Sequence, residues 1–235
     1  MKKTLLIVGG SHCWAHRNTK TPNDWISMIE RTLDVTVKVM AIPGTSNLAV
    51  KLMLDHYLEH HPKPDYVVYE VMPCNRIDIG IEQYNIDIND ISKNRRWVNS
   101  RSGHRYECGC EFEYNRNEAW ISIIIKNITD EISDYHPNIK KWIEFAIAHD
   151  ILPNKQDFIY PETSMLKLEN LGIPYAWFYM DVKFTFMKDT LLLKKLNVEK
   201  RINTDSILGK SISPNHLTPK ENKILFFEFL KHYER

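Results

Sequence analysis

The sequence predicts an α/β fold of three layers, a mostly parallel sheet covered by helices on both faces. Two observations carry this. From Thr4 to Val71, short β-branched runs alternate with segments whose apolar residues recur at helical spacing. Each of those runs also stops at Gly or Pro, as buried strands ending in tight turns do. The chain has 235 residues, 43% of them hydrophobic, which suits one such domain with a full core. We read residues 1–235 as a single domain.

The elements follow in order. Thr4–Val8 is the first strand, halted at Gly9-Gly10. Asn23-Asp24 offers an N-cap, after which Trp25, Met28, Ile29 and Leu33 mark a helix. Val35–Ala41 is the second strand, punctuated by Pro43-Gly44. Leu48, Leu52, Leu54, Tyr57 and Leu58 mark a second helix, closed near Pro62 and Pro64, and Tyr66–Val71 is the third strand. Residues 79–117 are then polar, rich in Asn and Arg and without clear periodicity, which predicts an insertion or lid on the fold. Helical patterning returns over Glu118–Ile132 and Ile139–Ala148. Glu162–Leu171 reads as a helix ending at Gly172, Tyr175–Met180 as a strand, and Pro219–Tyr233 as a closing amphipathic helix with Leu225, Phe226, Phe229 and Leu230 inward.

Composition excludes several functions. With 31 Lys plus Arg against 30 Asp plus Glu, the net charge is +1, and no clustered basic excess points to nucleic acid. The longest apolar runs fall far short of the roughly 20 residues that span a bilayer, so no membrane segment is expected. Lys2 and Lys3 before Leu5–Val8 imitate the start of a signal peptide, but Gly9-Gly10 ends the run too early. Four scattered cysteines make no disulfide framework, and a reducing cytoplasm is the expected location.

The chemistry-bearing residues gather where parallel strands end, the edge on which open α/β sheets place their ligands. Gly9, Gly10 and Ser11 follow the first strand; Pro43, Gly44, Thr45, Ser46 and Asn47 follow the second; Pro73, Cys74, Asn75 and Arg76 follow the third. Ser213-Pro214-Asn215-His216-Leu217-Thr218-Pro219 precedes the last helix. A hydroxyl nucleophile, backbone and amide donors and an imidazole base are the parts that acyl transfer needs. Each residue also has an ordinary structural role: Ser11 as a helix cap, Gly44 as turn chemistry, Asn75 as a solvated strand end, His216 as one of ten histidines.

In order and wording these four blocks resemble those of the SGNH (GDSL-type) hydrolase family, over Leu5 to Tyr233. The resemblance implies a flavodoxin-like sheet and serine-dependent hydrolysis of an ester, most plausibly an acetyl or other short acyl group on a small molecule or carbohydrate. It makes Ser11 the nucleophile and His216 the base, with Gly44 and Asn75 helping to bind the oxyanion, and it calls for no metal or organic cofactor. Three positions depart from the family pattern. Gly10 stands where Asp usually precedes the serine, Pro73 where a glycine usually lies two residues before the asparagine, and Ser213 where the acid lies three residues before the histidine. Ser213, a backbone carbonyl and Asp205 are the candidates for orienting His216. Trp14, His16 and Arg76 adjoin the blocks and are candidate substrate contacts. The departures also motivate a second reading, a catalytically degenerate member of the fold serving as a binding or structural module.

Other constellations are weaker. Cys108-Gly109-Cys110 with His104 lacks the second ligand pair of a structural zinc site. His56 and His60 share a helical face, but no zincin glutamate accompanies them. Cys13 is an alternative nucleophile by proximity, though a small buried residue beneath the sheet edge is the expectation.

Overall fold

The computed structural model describes residues 2–13, 24–41, 46–72, 76–80, 105–106, 110–111, 120–124, 141, 145, 148–149, 159–179, 196–207 and 217–233; for the strands at 76–80, 105–106, 110–111 and 120–124 it describes the backbone. In chain order the elements are β1 (Lys3–Gly9), α1 (Trp25–Thr32), β2 (Val35–Ala41), α2 (Asn47–His60), β3 (Tyr66–Val71), β4 (Arg76–Gly80), β5 (Arg105–Tyr106), β6 (Cys110–Glu111), β7 (Trp120–Ile124), α3 (Ile159–Asn170), β8 (Tyr175–Tyr179) and α4 (Pro219–Tyr233).

Four strands form a parallel sheet in the order β2-β1-β3-β8. Beyond β8, Arg201 adds a single parallel bridge to Trp177. Side chains alternate across the sheet, as the two-residue period of a strand requires. Leu6, Val8, Val67, Tyr69, Val71, Tyr175 and Trp177 face one core, covered by α2 and α3. Leu5, Ile7, Tyr66, Val68, Ala176 and Phe178 face the other, covered by α1 and α4, where Trp25 meets Phe178 edge to face at 5.7 Å. Burial on both faces explains why β1 and β3 read as continuous apolar runs rather than alternating ones.

The helix ends are specified locally. Asp24 caps α1 by accepting from the Ser27 N–H at 2.8 Å, and Ser46 caps α2 by accepting from the Ala49 N–H at 3.2 Å. At α4, Thr218 and Glu221 form a reciprocal capping box: the Thr218 N–H donates to Glu221 Oε2 at 2.7 Å and the Glu221 N–H to Thr218 Oγ1 at 3.3 Å. Helix α3 ends as its glycine predicts. Gly172 adopts a φ of 63°, its N–H donates to the Glu169 carbonyl, and the Ile173 N–H donates to the Leu168 carbonyl, each at 2.9 Å. No helix among the described residues is long and apolar enough to cross a membrane.

One expectation fails. Within Glu118–Ile132, read as helical, Trp120–Ile124 is a strand paired antiparallel with β4, from Arg76 opposite Ile124 to Gly80 opposite Trp120. Three isoleucines in five residues favour a strand once a partner exists, and that partner lies far upstream, where local periodicity cannot register it. In the Ile139–Ala148 stretch the described Lys141, Phe145 and Ala148 are helical. Of the 79–117 segment, the described residues lie in β4 and in the short β5–β6 pair, and in neither case pair with the four-stranded sheet.

Space around Gly172 is open, so only its backbone conformation opposes a side chain. Gly172→Ala should therefore cost about 1 kcal/mol, read as a lower urea midpoint with an unchanged slope.

Candidate active site

The strand order reverses between β1 and β3: from β1 the chain passes out to β2, then returns across β1 to β3. The C-terminal ends of β1 and β3 therefore flank the crevice in which sheets of this kind bind ligands. Ser11 stands there, half-buried, directly after β1 and at the start of a helical turn over Ser11–Cys13.

What fixes that turn is a residue the sequence reading passed over. Glu70 lies in β3, one position beyond the Val8–Tyr69 pair, on the apolar face shared with Tyr66 and Val68, and it is 1% exposed. An unpaired carboxylate there would be costly, so its partners matter. The Gly10 N–H donates to Oε2 at 2.7 Å, and His12 Nδ1 lies 2.6 Å from Oε1. The Cys13 thiol donates to the same carboxylate. Burial pushes the Glu70 carboxyl up, but the His12 charge, the hydrogen bonds from His12 and Cys13, and the Gly10 N–H outweigh it and hold the group below its ordinary value. An ionised carboxylate can only accept, so Nδ1 of His12 carries the proton. Cys13 is fully buried, and burial together with the Glu70 charge and hydrogen bond raises its thiol well above the ordinary value. A thiol so held is a poor nucleophile, which fits the structural role expected of it.

The two glycines answer to this carboxylate and to Met72. A Cβ on Gly9 would stand 2.5 Å from Glu70 Cβ, 2.6 Å from its Oε2 and 2.9 Å from Cys13 Sγ. A Cβ on Gly10 would stand 2.6 Å from Met72 Sδ. A side chain at position 10 would thus require the Met72 thioether to move.

Of the other site residues, Gly44, Asn75, His216, Ser213, Trp14 and His16 lie outside the described residues, as does the side chain of Arg76. Asp205 is half-exposed and bonded to Arg201 Nη2 at 2.8 Å. The described neighbours of these residues are tied together by buried hydrogen bonds. Asn47, the last residue of the second block, donates to the Met72 carbonyl at 2.9 Å and accepts from the Met72 N–H at 2.8 Å, joining α2 to the end of β3. Trp25 Nε1 donates to the His12 carbonyl at 3.2 Å, and the Trp25 N–H donates to Asn222 Oδ1 at 3.0 Å. Asn222 Nδ2 in turn donates to the carbonyls of Leu217 and Thr218, both at 3.1 Å. One set of bonds thus joins the second block to the end of β3, and another joins the Ser11 turn to the entry of α4. Asn47 and Asn222 carry no signal in a single sequence beyond being buried amides near helix starts. Among the described residues no cluster of three metal-ligating side chains occurs, and the His56 and His60 rings stack at 4.3 Å on α2.

No protein-family model matches the chain, and no curated protein matches it in sequence. Solved structures do. The psychrotrophic esterase EstA from Pseudoalteromonas sp., inhibited by monoethylphosphonate, is similar with a TM-score of 0.51 and 12% identity, over 99% of this chain and 97% of that one. A lipolytic G-D-S-L family member from Veillonella parvula matches with a TM-score of 0.42 and 10% identity, over 99% of both chains. A catalytic mutant of an acetylxylan esterase from Geobacillus stearothermophilus matches with a TM-score of 0.45 and 12% identity, over 99% of this chain and 95% of that one.

Two predictions arise. Asn47→Ala leaves a buried N–H and a buried carbonyl of Met72 without partners, so unfolding free energy should fall by about 2–4 kcal/mol in a denaturant melt. The second concerns acid. Because folding holds the Glu70 carboxyl below its ordinary value of 4.5, its stabilising contribution is complete above that pH and is lost as pH falls through the folded-state value. The parent's melting temperature should drop more steeply than that of Glu70→Gln when the buffer is taken below that range.

The helices on both faces of the sheet, its parallel strand order and the likeness to the EstA structure show a three-layer α/β/α fold.

Proposed function

We propose that this protein is a serine-dependent carboxylic-ester hydrolase that removes an acetyl or other short acyl group from a small-molecule or carbohydrate ester. The observation that carries the reading is the position of Ser11, directly after β1 at the reversal of strand order, in a glycine turn anchored by a buried carboxylate. In this reading Ser11 Oγ attacks the ester carbonyl while His216 takes its proton. The N–H groups of Ser11 and Gly44 and the Asn75 amide hold the oxyanion, one such donor being worth about 2.7–4 kcal/mol. His216 then protonates the leaving alcohol, and water, deprotonated by the same imidazole, releases the acid and restores Ser11. The chemistry calls for no cofactor.

The engagement of Asp205 with Arg201 favours Ser213 or a backbone carbonyl as the group orienting His216. Trp14, His16 and Arg76 would line the pocket, and the polar 79–117 segment would cover it. The departures at Gly10, Pro73 and Ser213 favour the alternative, a binding module that keeps the fold without turnover.

A fluorophosphonate probe separates the two. Labelling should map to the peptide bearing Ser11 and vanish in Ser11→Ala, with hydrolysis of p-nitrophenyl acetate falling on the order of 10³-fold or more. A parent protein that takes up no probe and turns over no ester would sink the hydrolase reading and leave the module.

A further inference from the structure

Glu70 sits where the fold gives no structural reason for a charge. Its neighbours on the same face of the sheet are Tyr66 and Val68 on its own strand and Leu5 and Ile7 on β1, all buried and apolar. Burying a carboxylate costs more than it returns unless its partners are in place. Those partners are not scattered. All three donors come from the four-residue stretch Gly10–Cys13, on both sides of Ser11. A Cβ at position 9 would stand 2.5 Å from Glu70 Cβ and 2.6 Å from its Oε2, so the Glu70 side chain leaves room there only for glycine. A second constraint closes the turn from within, where the Cys13 N–H donates to the Gly10 carbonyl at 3.2 Å.

We propose that Glu70 is a positioning residue for the Ser11 turn, one carboxylate oxygen holding the Gly10 N–H and the other the His12 imidazole, so that strand β3 sets where Ser11 Oγ stands. The assignment rests on Ser11 being the nucleophile. It gives His12 the role of an anchor rather than a base. Adjacent residues on a helical turn do not face each other, and the Nδ1 proton of His12 is committed to Glu70. The carboxylate that the family resemblance would place at position 10 is thereby supplied from the neighbouring strand.

The test compares the second-order rate of fluorophosphonate labelling in the parent, Glu70→Gln, His12→Asn and His12→Ala, each below its own melting temperature. Glutamine keeps an acceptor for the Gly10 N–H, but its amide NH₂ can meet His12 Nδ1 only if the imidazole proton moves to Nε2, so the charge-assisted tie is replaced by a weaker one. A misplacement of about 1 Å can cost on the order of 100-fold, and we expect Glu70→Gln and His12→Ala to slow labelling by about 10–100-fold. In ester hydrolysis the loss should fall on kcat, with KM little changed. His12→Asn retains a side-chain N–H of similar reach and should restore a rate close to the parent's. Glu70→Gln labelling at the parental rate overturns the proposal while leaving the Ser11 reading intact. So does His12→Asn as inert as Ser11→Ala, since the imidazole would then be handling a proton itself. If Glu70→Gln does not fold, the contrast between His12→Asn and His12→Ala decides. A parent that takes up no probe at all would remove the nucleophile reading, and the positioning role with it.

Discussion

The rest of this architecture turns on a carboxylate buried in the middle of a parallel sheet. Glu70 has no water to fall back on, so it must be paid in hydrogen bonds, and those bonds come from the turn after β1. The consequence runs in both directions. The turn supplies the donors that keep the carboxylate ionised, and the carboxylate dictates which residues the turn can contain. A Cβ at position 9 would lie 2.5 Å from Glu70 Cβ and 2.6 Å from its Oε2, so residue 70 leaves room there only for glycine. The Ser11 segment is thus packed against β3 rather than hung from the end of β1.

A second layer of polar contacts carries that order outward. Asn47 grips both backbone groups of Met72, and Met72 in turn fills the space beside Gly10. Trp25 reaches back to the His12 carbonyl while its own N–H is held by Asn222, which also holds the entry to α4. Each of these groups would cost about 1–3 kcal/mol if left unpaired, so the network resists partial loosening. Loops that must bring distant residues together gain from such anchoring, since the elements framing them cannot drift independently. Hydrophobic burial on the two faces stabilises the sheet; the buried amides and the carboxylate decide how its ends are arranged.

How far the sequence reveals this depends on the range of the interaction. Strands β1, β2 and β3 announce themselves because both faces are apolar, and α3 stops at Gly172 because only glycine takes that φ at little cost. The block around Ser11 is legible for the same local reason, a strand ending in two glycines and a serine. Glu70 is not, because a glutamate inside an apolar run reads as an irregularity until its three donors, about sixty residues upstream, are brought beside it. Strand β7 is hidden for a related reason. Its isoleucines suit a helix or a strand, and the pairing with β4 that chooses between them lies outside any local window. Asn47 and Asn222 are ordinary helix-start residues by sequence; their partners give them their meaning.

Gly10, Glu70 and Met72 bear on one another at the Ser11 turn. A Cβ at position 10 would lie 2.6 Å from the Met72 sulfur, so an aspartate there requires the thioether to move. It would also set a second carboxylate beside Glu70, whose Oε2 is 3.7 Å from that same Cβ, and like charges at that separation disfavour both being ionised. An aspartate introduced at position 10 alone would then disturb the turn. Asn47 holds the Met72 backbone while the Met72 side chain fills the gap over Gly10. Gly10, Glu70 and Met72 form one packed set, in which the charge beside the Ser11 turn comes from the adjacent strand and a thioether fills the space over Gly10.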